Sequence, residues 1–410
     1  MKVWVKLLIG SILGMVIGFL LPAENINITS VFQWLEKLAL GIGRYAVVPV
    51  LVFSLTLSVY ELRMEEKFWP MVFKNLLLII IVSLFVVFSG TLAAKVFLLK
   101  YYIPIVREEH FEALSLDTAQ NLLDLFPSNM LSVLTGGGIY LFPICVFAFF
   151  FGMGLNYDRN HTKPVISLLD SLSRVFYHVA SFFSEILGFI LIVLSAYWAV
   201  RFNVIYKAGI YRDLIVMLGV FSVVLCFGIF PLFLYFLRPK VKPWLVLYGF
   251  LGPALTAFFS GDINFSIPVI QRHSKENFGI RRRSSALSLS LFSAFCRCGS
   301  AMVAAVAFIV IIRSYTRLDS VNILSIGFRA FAISFLLARH PGDGAYVALA
   351  ALCLSYGGGE YRTGYLILKP LAFYLVAIGT FIDVMINAFG SYFLARKNGF
   401  YEEKNLVHFI

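Results

Sequence analysis

Two charges stand where a long apolar chain offers them little water. Arg297 lies 14 residues after Arg283 and 16 before Arg313, and Asp383 lies 14 after Lys369 and 13 before Arg396. At a helical rise of about 1.5 Å per residue, each sits roughly 20 Å from its nearest flanking charge, too far to snorkel. A charge at such depth costs roughly 2.5–3.5 kcal/mol or more unless it is paired or faces a cavity. Each has polar company at helical spacing. Ser290, Ser293, Arg297 and Ser300 make one stripe, and Thr380, Asp383, Asn387 and Ser391 make another. A third group, Asp262, sits in the polar break Ser260-Gly261-Asp262-Ile263-Asn264-Phe265-Ser266 and can reach the same level. Two readings fit. One is a polar site for a small solute; the other is an ion pair, Arg297 with Asp383 or with Asp262, that only locks helices. Both compensate buried charge, so they are compatible. His340, beside a second polar break, reads as a cavity-lining residue, with a proton relay as the alternative.

The elements that must hold these charges are membrane helices. The 410 residues are 60% hydrophobic and 14% charged, which excludes a soluble domain. The net charge of +12 lies in short loops between apolar runs, which fits positive-inside topology and not nucleic-acid binding. Five cysteines fall mostly inside apolar segments, against a disulfide framework. Cys296 and Cys298, read inside one helix, are expected on different faces and without a metal. The first apolar run, 3–21, lacks a cleavage pattern and reads as a retained span. Its Gly10, Gly14 and Gly18 make a smooth packing face.

Eight spans are expected, at 3–21, 38–59 (kinked by Pro49), 76–99, 139–155, 168–200, 215–237, 285–312 and 366–395, with a long external connection at 101–138. Basic residues flank the Asp262 break on both sides, Arg238, Lys240 and Lys242 before it and Arg272, Lys275, Arg281, Arg282 and Arg283 after it. Both flanks therefore prefer the same side of the membrane, and the segment reads as a re-entrant hairpin. A second interrupted region, 321–356, breaks at Ala338-Arg339-His340-Pro341-Gly342-Asp343-Gly344 and must enter from the opposite face. Two hairpins of opposite entry, each followed by a span, mark an inverted repeat with a central site. The fold class expected is an all-α polytopic membrane protein with both termini cytoplasmic, multi-pass in the inner (plasma) membrane.

At these residues the chain resembles the glutamate transporter family, the dicarboxylate/amino acid:cation symporters. Val48-Pro49-Val50-Leu51-Val52-Phe53 looks like its span 2, and Asp124-Leu125-Phe126-Pro127-Ser128-Asn129 with Pro143 looks like its span 3–4 connection. Ser266-Ile267-Pro268-Val269 and Lys275-Glu276-Asn277-Phe278-Gly279-Ile280 resemble its first hairpin. Pro341-Gly342-Asp343-Gly344 resembles its second, and Met385-Ile386-Asn387 with Gly390 resembles its span 8. The order of these matches across nearly the whole chain carries the resemblance. It implies a homotrimer in membrane lipid, and an elevator in which a transport domain moves against a scaffold. Scaffold helices would lie in 1–70 and 139–205, and transport-domain helices in 71–100 and 206–400, with a tail at 401–410.

Departures fall on the chemistry. The family's Asn-Met-Asp-Gly-Thr sodium site reads Cys296-Arg297-Cys298-Gly299-Ser300 here. Its substrate-amine Asp falls on Thr380, its substrate-carboxylate Arg on Asp383, and its sodium-binding Asp on Ser391; Asn387 is kept. The three-serine hairpin tip becomes Asp262-Ile263-Asn264. The resemblance thus places a solute among Asp262, Asn264, Ser266, Arg297, Ser300, Pro341, Gly342, Asp343, Gly344, Thr380, Asp383 and Asn387. It leaves degenerate sodium positions at Cys296, Arg297, Cys298, Asn387 and Ser391, and no cofactor is expected. Thiols are poor ligands for sodium, and Arg297 supplies a fixed cation, so sodium-independent behaviour is expected. Asp383 repels an acidic side chain unless Arg297 neutralises it. The favoured function is secondary transport of an amino acid or related acid. A non-transporting sensor or scaffold is the runner-up. An intramembrane aspartyl protease using Asp262 and Asp383 lacks the Gly-x-Gly-Asp context, and an arginine would upset a shared proton.

Overall fold

The computed structural model describes residues 2–21, 26–96, 123–124, 126, 129–135, 139–157, 159–237, 242–314, 316, 319–356, 361–402, 404 and 409–410. Among them there is helix and turn but no strand. Most of the expected connection at 101–138 lies outside the described residues.

Helix α1 (Val3–Leu20) runs along α6 (Arg159–Ala208). A Cβ on Gly10, Gly14 or Gly18 would come within 2.1, 2.2 or 2.3 Å of the carbonyl oxygens of Gly188, Ile192 or Ala196. Only glycine allows this approach, so the stripe read from the sequence is the contact itself. Between them in sequence come α2 (Ile26–Arg44), α3 (Val47–Met64), α4 (Phe68–Val96) and α5 (Phe142–Gly154). The kink expected at Pro49 is a break at Tyr45 and Ala46, and Pro49 sits in the first turn of α3, where its missing N–H costs nothing. Helix α5, expected as a full span, has 13 residues, too few to cross a hydrocarbon core alone.

Among the described residues, seven helical stretches are long and apolar enough to span, and the bent pair α8 (Pro243–Gly249) and α9 (Leu251–Ser260), 51° apart, would make an eighth. The chain is thus an all-helical polytopic membrane protein. Helix α7 (Arg212–Leu237) carries a π-helical stretch at Val224–Ile229. After it, α9 turns through Gly261, at φ 62°, and returns as α10 (Ile263–Phe278). The region expected at 285–312 is not one helix. It breaks at Cys296 and Arg297 into α11 (Arg282–Phe295) and α12 (Cys298–Arg313). A second helix–turn–helix, α13 (Ser320–Ser334) and α14 (Gly344–Ser355), precedes the last long helix, α15 (Ala372–Lys397).

The core is built around α12, which packs against α4, α13, α14 and α15. The apolar window of Arg282–Arg313 is 94% buried, against 33% for α1 and for α4. The most enclosed helix is therefore the one that carries the charge and the break.

Candidate functional site

The break in α11–α12 has a tertiary cause. Its sequence holds no proline, yet the Asp383 carboxylate, from α15, accepts the Gly299 N–H at 2.7 Å and the Ser300 N–H at 3.3 Å. Asp383 also accepts the Ser300 hydroxyl at 2.6 Å. A carboxylate from one helix thus caps the start of another, where orphan N–H groups and the helix dipole favour an anion. Gly299 permits the approach, since a Cβ there would lie 2.7 Å from Ile382.

Arg297 is the last residue before that capped turn and is fully buried. Its Nε lies 3.2 Å from Asp383 Oδ2, an ion pair whose N–H is not aimed well enough to make a hydrogen bond. Its Nη2 donates to the His340 and Pro341 carbonyls at 3.2 and 3.3 Å, while Nη1 has no acceptor. A Cβ at Gly344 would come within 2.6 Å of Nη2, so the second helix–turn–helix closes directly over the guanidinium.

Asp262 is also fully buried, but it does not meet Arg297. Its Oδ1 caps α10 by accepting the N–H groups of Asn264 at 2.7 Å and Phe265 at 3.2 Å. Its Oδ2 pairs with Arg44, which arrives from the end of α2. The sequence reading missed Arg44. Arg44 falls inside the expected span 38–59, but it follows Lys37 by only 7 residues, about 10 Å of helix, so depth does not single it out as it does Arg297.

The two polar breaks touch. Ile263 N–H donates to the Pro341 carbonyl at 3.2 Å, and the Thr380 hydroxyl to the Gly261 carbonyl at 3.0 Å. Asp262, Arg297, Ser300, Pro341, Gly342, Gly344, Thr380 and Asp383 therefore form one connected cluster. Ser266 stands behind it, its hydroxyl donating to the Asp262 carbonyl at 3.3 Å. Asn264 turns away and donates to the Ile139 carbonyl at 2.8 Å. Asp343 points outward, with its side chain 53% exposed and His340 at 3.2 Å. Asn387 is buried one turn beyond Asp383, and neither of its amide atoms has a partner. Ser391 bonds only to its own helix, at the Ala388 carbonyl.

The break also overturns the expectation for the cysteines. Cys296 and Cys298 are not held on different faces, because no continuous helix separates them. Their sulfurs lie 3.8 Å apart, and Ser83 of α4 is 3.9 Å from Cys296 Sγ. Among the described residues, no three His, Cys, Asp or Glu side chains converge as a metal site.

In sum, two guanidiniums (Arg44, Arg297) meet two carboxylates (Asp262, Asp383), and the cluster is neutral. Two helix–turn–helix elements that meet tip to tip over a buried charged cluster suit reversible enclosure of a small molecule. A family model described as "Sodium:dicarboxylate symporter family" matches residues 3–397. The chain belongs to that family. It is a membrane-embedded transporter of a small-molecule solute and not an enzyme, which removes the protease reading. Within the family it is similar to the serine/threonine transporter SstT of Acinetobacter baylyi (strain ATCC 33305 / BD413 / ADP1), with 26% identity over 392 residues, 94% of this chain and 89% of that one. It is also 22% identical over 236 residues to the proton/sodium-glutamate symport protein of Bacillus subtilis (strain 168), a match covering 55% of this chain and about half, 54%, of that relative. Both relatives are named as transporting proteins, and the non-transporting reading is not favoured.

Proposed function

We propose that this chain carries a small organic solute of the amino-acid class, without a net charge on its side chain, and that Arg297 replaces a bound cation. The observation that carries the reading is the placement of one guanidinium between Asp383 and the His340 and Pro341 carbonyls. Those are oxygens of the kind a hard cation would use, and a covalently attached charge already occupies them. The other positions fit sodium poorly. Two offer thiols, Ser391 is turned into its own helix, and only the Asn387 amide oxygen remains unpartnered. Sodium coupling is thus altered or absent.

Substrate charge follows from the same neutrality. Arg297 is committed to Asp383, so no free guanidinium waits for a side-chain carboxylate. Arg297 Nη1 and the Asn387 amide, with Arg297 Nε and Arg44 Nε, are unsatisfied polar atoms that a small polar solute could complete. One relative is named for serine and threonine and another for glutamate; the neutral cluster favours the first kind of cargo. The same reading assigns α1, α2, α3, α5 and α6 to a scaffold, and α4 with α7 onward to a domain moving against it in a homotrimer. It places both termini in the cytoplasm.

The test is a thermal-shift series on purified protein with serine, threonine, aspartate and glutamate, in sodium or in choline chloride. Binding stabilises the folded state by mass action. Stabilisation by a neutral amino acid, equal in both salts, is expected. Stabilisation by aspartate or glutamate only in sodium would overturn the reading.

A further inference from the structure

A second site lies where α10 passes into α11, apart from the neutral cluster. There a polar cavity of about 660 Å³ opens between α3 and α6 on one side and α10, α11, Glu402 and Lys404 on the other. Six cations line it, namely Arg174, Lys275, Arg281, Arg282, Arg283 and Lys404, against two carboxylates, Glu61 and Glu402. Arg282 bridges Glu61 and Asp170, each at 2.7 Å, and Arg174 shares Asp170 at 3.0 Å. Arg283 pairs with Glu65, which Lys67 also engages at 3.0 Å, and Arg281 lies 3.6 Å from Glu402. Among the described residues, and counting Asp170 and Glu65 behind the wall, six lining cations meet four carboxylates, one of which Lys67 also shares, so positive charge is in excess.

That excess has an address. Among the described residues no carboxylate lies within ion-pair distance of Lys275 or Lys404, and the Lys275 ammonium rests 3.6 Å over the Tyr177 ring. An independent observation points the same way. Ser285 lines the cavity, is 4% exposed, and its hydroxyl has no partner. Ser274, Ser284 and Ser288 also carry unpartnered buried hydroxyls, but Ser285 is the one of these at the cationic wall, where an acceptor would complete it.

We infer that this crevice binds a phosphate group. A phosphate group carries about −1 charge as a diester and about −1.5 to −2 as a monoester near neutrality, with two or three free acceptor oxygens. That suits two uncompensated ammoniums, an orphan hydroxyl and guanidinium forks better than a halide, which offers no directed acceptors. The group arrives on an anionic lipid headgroup or on a soluble phosphate compound. Bound there, it bridges two sides of the molecule that also meet through ion pairs and through packing of Leu55, Val59 and Leu62 against Leu287. The site does not depend on what solute the chain carries.

The experiment follows thermal unfolding of the purified full-length protein in neutral detergent. The probes are inorganic phosphate, dioctanoyl phosphatidylglycerol, dioctanoyl phosphatidylcholine, and sodium chloride at matched ionic strength. A saturable rise in Tm is expected with a phosphate probe and not with the choline lipid or chloride. A response to phosphatidylglycerol alone makes the source a lipid, and a response to inorganic phosphate makes it soluble. The Lys275→Gln/Lys404→Gln variant should weaken half-saturation by roughly tenfold or more, since a charge-assisted hydrogen bond is worth at least that factor. Lys275→Arg should restore much of it, and Lys207→Gln, at the far end of α6, should change nothing. If the double variant does not fold, Lys404→Gln, outside every helix, carries the test alone. No saturable response to either phosphate probe, or an equal response in wild type and lysine variants, would overturn the proposal.

Discussion

The cluster around Arg297 and the crevice around Lys275 solve opposite electrostatic problems with the same residue types. In the cluster two guanidiniums and two carboxylates cancel, both carboxylates also cap helices, and every charge is spoken for. In the crevice six cations meet four carboxylates, and a buried serine is left without a partner. Depth explains the difference. An uncompensated charge deep in an apolar core costs several kcal/mol, whereas one at a wet crevice costs little. A compensated site selects neutral ligands, and a site with residual charge selects ions. The two regions should therefore respond to charge removal with opposite results.

The largest effect is expected at Arg297. Arg297→Met leaves Asp383 buried and unpaired and should destabilise the protein by about 3–5 kcal/mol, seen as lost folded yield and a lower Tm in detergent. Adding Asp383→Asn should recover much of that loss. If the single variant expressed and melted like wild type, the pair would not be what holds the break together. Next comes Gly344→Ala, whose Cβ would meet Arg297 Nη2 at 2.6 Å. Overpacking of this kind costs about 1–3 kcal/mol, and here it should also pull the guanidinium away from the His340 and Pro341 carbonyls. Arg44→Gln should cost less, about 1–2 kcal/mol after allowance for solvent screening, because the Arg44 side chain is 26% exposed and Asp262 keeps its two N–H partners. The smallest effect belongs to the crevice. Lys275→Gln should shift ligand-free stability by no more than about 0.5 kcal/mol, since it breaks no ion pair. A loss there as large as at Arg297 would erase the contrast between the two regions.

Much of this was legible because depth and spacing are properties of sequence. The flanking charges fixed how far Arg297 and Asp383 lie from water but left Asp262 and Asp383 open as partners, and the structure pairs Arg297 with Asp383. The glycines at 10, 14 and 18 announced a close helix contact, and the polar break at Gly261-Asp262 announced a turn. The break at Cys296 was not legible, because what caps the start of α12 is a carboxylate 84 residues from Gly299 in sequence, at Asp383 in α15. The same long-range cap brings Cys296 and Cys298 together, contrary to a reading based on one helix. Helix α5 fell short of its expected length because hydropathy continues where the helix does not: Ile139 to Leu141 remain outside it. Arg44 was overlooked because it lies only 7 residues after Lys37, shallow enough to read as a flanking charge. The crevice escaped because its cations come from four stretches of chain, each of which reads alone as positive-inside loop chemistry.

The most direct test of a fixed cation in place of a coupling ion is uptake of labelled serine or threonine by proteoliposomes, with an inward sodium gradient or with choline on both sides. Equal initial rates in the two conditions are predicted, because Arg297 already occupies the oxygens that a bound ion would use. Uptake that requires the sodium gradient would contradict the account.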